Sequence, residues 1–206
     1  MFSFFVALQL AAMLRTFVAQ PFDIPSESNV PNLMPGDYFL ASKLAYHYGG
    51  HPHRGDVVVF KYPKDMSISY AKRVIGLPGD RVQLKRGHLY INEVEMQRDE
   101  VAKIQWSKGL LVPIQHFYRE TLSGGRSYVI GVNDDAGLEE NTPEYIVPLD
   151  RYFVLGDNRS NSSDSRYLNG VGYVPEENFI GPLLWRYWNS KGYSLEDRPE
   201  EVYPKP

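Results

Sequence analysis

The sequence predicts a mainly β protein: an N-terminal transmembrane helix followed by a β-sheet core that carries a smaller inserted β lobe. Three observations predict it. Met1 to Ala19 is an apolar run, about 15 residues of 19, broken only by Ser3, Gln9, Arg15 and Thr16. Beyond it, short runs of β-branched and aromatic residues alternate with turn signals, for which 17 Gly and 15 Pro supply the chemistry. Past the apolar run, no stretch carries a sustained helical period. The organisation that follows is an anchor over 1–21, a core from 22–82 and 151–190, an inserted lobe over 83–150 and a tail over 191–206.

As a helix, the apolar run would rise roughly 28 Å, close to the hydrocarbon thickness of about 30 Å. A buried core helix fits less well, because apolar residues go all round with no polar face. A cleaved signal peptide would want a basic start and small residues before the cut, whereas no Lys or Arg precedes Arg15 and Phe17 is bulky. An uncleaved anchor with Arg15 reaching an interface is the reading kept. Its orientation cannot be taken from charge.

Residues 20–37 read as loop, with prolines at 21, 25, 31 and 35 and a Pro35-Gly36-Asp37 turn. Strands follow over Tyr38–Lys43 and, after a polar loop over His47–Gly55, over Val57–Tyr62, whose Val-Val-Val-Phe is the strongest β signal in the chain. Ser67–Ile75 is next, closed by Leu77-Pro78-Gly79-Asp80. Arg81–Leu84 and His88–Ile91 form a hairpin through Lys85-Arg86-Gly87. The lobe is less regular, with short strands such as Leu110–Ile114 and Arg126–Ile130, and its sequence shows no chemistry. Tyr152–Leu155, a polar loop over Gly156–Gly172 and an aromatic strand over Phe179–Trp188 complete the core.

With 22 basic and 25 acidic residues, the net charge of −3 argues against a general nucleic-acid binder. Zero cysteines exclude a disulfide framework, a thiolate zinc site, an iron–sulfur cluster and a cysteine nucleophile. The pair His51 and His53 has no evident third ligand, so no metal site is expected. Trp185-Arg186-Tyr187-Trp188 suits either a membrane interface or core packing. Asn161-Ser162-Ser163 fits a glycosylation pattern within the polar loop.

Alternation puts Ile68, Tyr70, Lys72 and Val74 on one strand face. Lys72 is then partly desolvated, and burial lowers an ammonium's pKa until the amine can act as a base. The same pattern also describes an edge lysine whose head reaches water. Ser26 and Ser28 stand in a Pro-flanked segment that would hold a hydroxyl rigidly, or mark only a turn.

Taken together, these segments resemble the bacterial type I signal peptidases. Ile24-Pro25-Ser26-Glu27-Ser28 with Pro31, Leu33 and Pro35-Gly36-Asp37 is similar to their serine box. Arg54-Gly55-Asp56-Val57-Val58-Val59-Phe60 resembles their next strand, and Lys72 to Asp80 their lysine box. Gly156-Asp157-Asn158-Arg159-Ser160-Asn161-Ser162-Ser163-Asp164-Ser165-Arg166 is similar to their last box. The four boxes stand in family order, covering 22–82 and 152–182. The resemblance implies a membrane-bound serine endopeptidase with Ser28 as nucleophile and Lys72 as general base. It implies an oxyanion hole from the Ser26 hydroxyl and the Ser28 N–H, and a Ser162 hydroxyl orienting Lys72. Asp164 and Arg166 would form a supporting ion pair, with Asp157 and Arg159 bracing the loop. Phe22, Ile24, Leu33, Val59, Tyr70 and Ala71 would line pockets for small residues at −3 and −1. The implied partners are signal peptides of exported preproteins and membrane lipid, with no nucleic acid, metal or cofactor. The implied location is the bacterial cytoplasmic membrane, single-pass, with the catalytic domain on the periplasmic side.

Four residues depart from the family pattern. Glu27 stands where Gly is usual and, turned inward, would favour a charged Lys72; turned outward, it meets water or a basic partner. Asn29 replaces Met and would make the −1 pocket more polar. Ala71 replaces a frequent Ile and would widen both pockets. Asn32 stands for a usual Thr. These departures also suit a specialised paralogue serving one pilus or secretion substrate, or a catalytically impaired, membrane-tethered peptide-binding module. A Ser–Lys self-cleaving repressor shares the dyad logic but would need a DNA-binding segment.

Overall fold

The computed structural model describes residues 4–6, 9, 15, 18–46, 49–101, 114, 116–133 and 141–193. Most of the expected anchor therefore lies outside the described residues, as do 110–113 of one expected strand and 194–206 of the expected tail. Among the described residues, no helix is long and apolar enough to cross a membrane. The core is mainly β, as expected. Its strands are β1 (Ala19–Asp23), β2 (Asp37–Ser42), β3 (Val57–Tyr62), β4 (Asp65–Gly76), β5 (Arg81–Lys85), β6 (His88–Ile91) and β7 (Val94–Glu95). They continue with β8 (Gln97–Glu100), β9 (His116–Thr121), β10 (Ser127–Val132), β11 (Tyr145–Ile146), β12 (Arg151–Leu155), β13 (Val174–Pro175) and β14 (Phe179–Asn189).

A seven-stranded sheet in the order β1-β2-β14-β3-β4-β12-β13 forms the body. Every pairing in it is antiparallel. β14 bridges two neighbours, pairing first with β3 and then with β2, with a register shift in each ladder. The turn before β2 needs Gly36, whose φ of +87° is left-handed and where a Cβ would lie 2.8 Å from Ser190 Oγ. Asp37 then locks β2 to the end of β14. Its carboxylate accepts from Arg186 at 3.0 Å and from Asn189 at 2.8 Å.

Two smaller sheets, β10-β9-β8 and β11-β5-β6-β7, are built from the chain between β4 and β12. β5 and β6 close through Arg86 and Gly87, both with positive φ, the two-residue turn whose twist suits a hairpin. One apolar cluster runs from the insertion into the body. It joins Val82, Leu84, Leu89, Leu122, Tyr128 and Ile130 to Ile75, Phe153 and Leu155.

The structure corrects the sequence reading at several elements. Ala19–Asp23 is a strand rather than loop; Pro21 is tolerated because β1 is the sheet edge, where a missing N–H breaks no interior ladder. β8 and β9 were hidden because polar residues such as Glu120 point inward and spoil the alternation. Ile68, expected with the buried face of β4, is exposed, since that end of the strand runs past the core. Trp185, Tyr187 and Trp188 are exposed on β14, which removes the core-packing reading for them. Tyr193, expected in the tail, is buried with Val30 and Met34.

Candidate active site

The segment after β1 is pinned before it reaches the serines. Ile24 N–H donates to the Asp37 carbonyl at 2.8 Å, and Gly36 N–H donates to the Ile24 carbonyl at 2.7 Å. Ser28 is held from its other side by Asn158, whose N–H donates to the Ser28 carbonyl and whose Nδ2 donates to the Glu27 carbonyl, both at 3.1 Å. Ser28 is only 8% exposed. Its hydroxyl therefore has little freedom left to lose when it reacts.

Lys72 lies on β4 opposite Val58 of β3, 4% exposed, with its Nζ donating to Ser28 Oγ at 2.5 Å. Tyr70 gives its ring to the same ammonium at 5.8 Å. Burial pushes the Lys72 pKa down to about 8, against the opposing charges of Asp164 and Asp157 and helped by Arg166. Of the two readings open for Lys72, the desolvated amine is the one observed. The Ser26 hydroxyl lies 3.2 Å from Ser28 Oγ.

The loop 156–166 supplies the opposite wall. Asp164 and Arg166 pair at 2.8 and 2.9 Å, and Gly156 N–H donates to the same carboxylate at 3.0 Å. Burial pushes the Asp164 carboxyl up, but Arg166 and the Gly156 N–H outweigh it and hold the group below its ordinary range. Asp157 and Arg159 brace the loop through other partners than each other. Asp157 takes a bidentate grip from Arg73 at 2.8 and 2.7 Å, and Arg159 takes Glu120 at 3.0 and 2.6 Å. Ser162 Oγ is buried and has no hydrogen-bond partner among the described residues, so its expected bond to Lys72 is not formed here. Gly156 packs between Ser162 and Ser28, and a Cβ there would lie 2.2 Å from Ser162 Oγ and 2.4 Å from the Ser28 carbonyl oxygen.

A cleft of about 540 Å³ opens over this pair. Phe22, Ile24, Val59, Tyr70 and Ala71 line it. Leu33 instead lies beneath, buried with Ile24, Phe39 and Val59. Asn29 joins the wall and donates to the Ala71 carbonyl at 2.7 Å. Glu27 is buried; burial raises the Tyr193 hydroxyl and Glu27 adds to that shift, while the carboxylates acting on Lys72 are Asp164 and Asp157. Sequence reasoning assigned no role to Arg73, Asn158 or Glu120. The first two stood in quoted motifs, whereas nothing in the sequence pointed to Glu120.

An amine near neutrality against a hydroxyl, at the floor of an apolar cleft, is what an acyl-transferring serine hydrolase requires. Sequence comparison identifies the group: residues 1–188 match the family Signal peptidase, peptidase S26, and the chain belongs to it. Signal peptidase I of Rickettsia massiliae (strain Mtu5) is 35% identical over 218 residues, covering 92% of this chain and 79% of the relative. Signal peptidase I of Rickettsia prowazekii (strain Madrid E) is 34% identical over 216 residues with the same coverage. A solved signal peptidase I from Enterococcus faecalis V583 is 29% identical with a TM-score of 0.40, covering 65% of this chain and 97% of that one. The protein is thus a peptidase of the secretory machinery, a hydrolase by family.

Proposed function

We propose that this peptidase removes signal peptides from exported preproteins, cutting after small residues at −3 and −1, with Ser28 as nucleophile and neutral Lys72 as general base. The observation that carries it is the 2.5 Å contact between Ser28 Oγ and a Lys72 amine that burial has brought to a pKa of about 8. In the first step Ser28 Oγ bonds to the scissile carbonyl carbon while its proton passes to Lys72. The Ser26 hydroxyl and the Ser28 N–H donate to the developing oxyanion, an interaction of roughly 3–4 kcal/mol per donor in such sites. Lys72 then returns the proton to the leaving amine, and an ester to Ser28 remains. Water adds to that ester, again losing a proton to Lys72, which passes that proton to Ser28 Oγ as the ester bond breaks. Asp157, Arg159, Asp164 and Arg166 keep the loop behind the pair in place. An extended substrate would add as a strand between Asp23–Ser26 and β4, its small side chains entering the wall around Phe22, Ile24, Val59, Tyr70 and Ala71.

Cleavage of an Ala-x-Ala preprotein in detergent, followed from pH 6 to 10, tests the reading. Because only the neutral amine accepts a proton, kcat/KM is expected to rise tenfold per pH unit on the acid side and level off above about 8. Ser28→Ala and Lys72→Ala are each expected to lose at least about 1,000-fold. Full activity in Lys72→Ala would sink the dyad.

The enzyme is further proposed to sit in the bacterial cytoplasmic membrane on a single anchor within 1–21, with its site on the periplasmic face. The apolar run of residues 1–19 supports this. Alkaline carbonate should leave the full chain in the membrane pellet and detergent should release it; release by carbonate alone would count against the anchor.

A further inference from the structure

Among the links from the β8–β10 sheet to the candidate active site is one buried carboxylate. Glu120, on β9, is 1% exposed, and Arg159, on the polar loop, is 4% exposed. The Glu120 Oε2 accepts from Arg159 Nη2 at 2.6 Å and from the Tyr128 hydroxyl at 2.5 Å, while Oε1 accepts from Arg159 Nη1 at 3.0 Å. A carboxylate so deeply desolvated is retained only where its lone pairs are filled.

Each partner leads on to the reacting groups. Arg159 Nε donates to the Gly156 carbonyl at 3.2 Å, and Gly156 is the residue packed between the Ser28 carbonyl and Ser162 Oγ. Next to it, Asn158 carries the Glu27 and Ser28 carbonyls. Tyr128 turns its ring to the Arg73 guanidinium, 4.1 Å away. Arg73 follows Lys72 on β4 and grips Asp157 in both carboxylate oxygens. The backbone reinforces the link, since Gly131 of β10 donates to the Asp157 carbonyl and accepts from the Arg159 N–H, both at 2.9 Å. Two arginines and two carboxylates, Arg73 with Asp157 and Arg159 with Glu120, thus balance inside the protein, Glu120 coming from β9.

We infer that Glu120 is a positioning residue for peptide-bond cleavage: through Arg159 and Tyr128 it holds the 156–159 loop and Arg73, and so sets the attitude of Ser28 against Lys72. The inference rests on the dyad reading above. A displacement on the order of 1 Å at the reacting atoms costs roughly 100-fold in rate, so a loosened clamp is felt in kcat while the apolar cleft still takes substrate.

The test uses the full chain in detergent with an Ala-x-Ala preprotein. Glu120→Gln is expected to lower kcat about 10- to 100-fold with KM within about twofold. A purely structural loss would lower the amount of active enzyme and leave the folded fraction at full rate, so kcat is referred to the folded fraction measured by near-UV circular dichroism. The double variant Glu120→Leu/Arg159→Met leaves no buried charge unpaired. It is expected to melt close to wild type yet keep the low kcat, because Gly156 has lost its hold. Should Glu120→Gln fail to fold, the double variant decides alone. Wild-type kcat in folded Glu120→Gln, or in the double variant, overturns the role given to Glu120. Ser28→Ala run alongside separates the two ideas: if it still cleaves, the dyad reading has failed, and if it is inert while Glu120→Gln is fully active, only the positioning role has failed.

Discussion

Lys72 is the residue at which stability and chemistry oppose each other. An unfolded lysine titrates near 10.4, and the folded one is brought to about 8 by burial. Between these values the unfolded chain binds more protons, so folding stability rises with pH across that window; below about 8 the protein bears the whole cost, on the order of 3 kcal/mol. Lys72→Met keeps the shape without the charge. It is expected to abolish cleavage and to raise the melting temperature at pH 7, with the gain fading as pH climbs from 8 to 10. A thermal melt series across pH checks this, and a variant less stable than wild type at pH 7 would contradict it. Glu27 shows the opposite lesson. Sequence reasoning left it turned either inward to Lys72 or outward to water or a basic partner, yet it is buried and adds to the burial that raises the Tyr193 hydroxyl.

Within β4, register turns three successive residues into three functions. Ala71 lies opposite Val59, Lys72 opposite Val58 and Arg73 opposite Val57. Ala71 thereby joins the cleft wall, Lys72 meets Ser28, and Arg73 reaches Asp157. A one-residue slip would exchange the faces and dissolve the site. The short Ala71 side chain leaves the wall open, and Ala71→Ile would fill it against Val59. We expect that variant to discriminate against residues larger than Ala at −1 and −3 by a further 10-fold or more, the usual value of one or two methylenes in an apolar pocket. Competition between preproteins with Ala and Val at these positions measures the ratio, and an unchanged ratio would refute the widening role of Ala71. β1 teaches a different point. Its Pro21 reads as loop because the sequence does not announce that the strand will be an edge.

Across the whole molecule, stability at low pH hangs on buried carboxylates. Asp164 is held below its ordinary range by Arg166 and the Gly156 N–H despite burial, and Asp80 by Arg54, Leu77 N–H and Asn92 despite its partial burial. A depressed carboxyl contributes stability that is complete above its unfolded value near 4 and is lost as pH falls through the folded value. Urea unfolding is therefore expected to weaken steeply below about pH 4. Asp164→Asn should flatten that decline and cost about 3–5 kcal/mol at pH 7, since it strips the buried Arg166 of its carboxylate. An unchanged acid slope in the variant would show that the pair is not the source.

How far all this was legible depended on whether a residue's role is local. β3 and β6 have the limits read from the sequence, because alternation and turn chemistry are properties of adjacent residues. The serine, lysine and last-box segments were legible for the same reason, whereas the alternation of β4 left Lys72 either desolvated or reaching water until packing buried it. By itself the sequence determined a mainly β chain, its family and the residues from which the site is drawn. Tertiary structure alone decided that Arg73 grips Asp157, that Arg159 turns to Glu120 and that Ser162 stays off Lys72. Those choices are made by burial: once water is excluded, each charge must take whichever opposite charge the packing brings within 3 Å, and that neighbour can be 39 or 84 residues away in the chain.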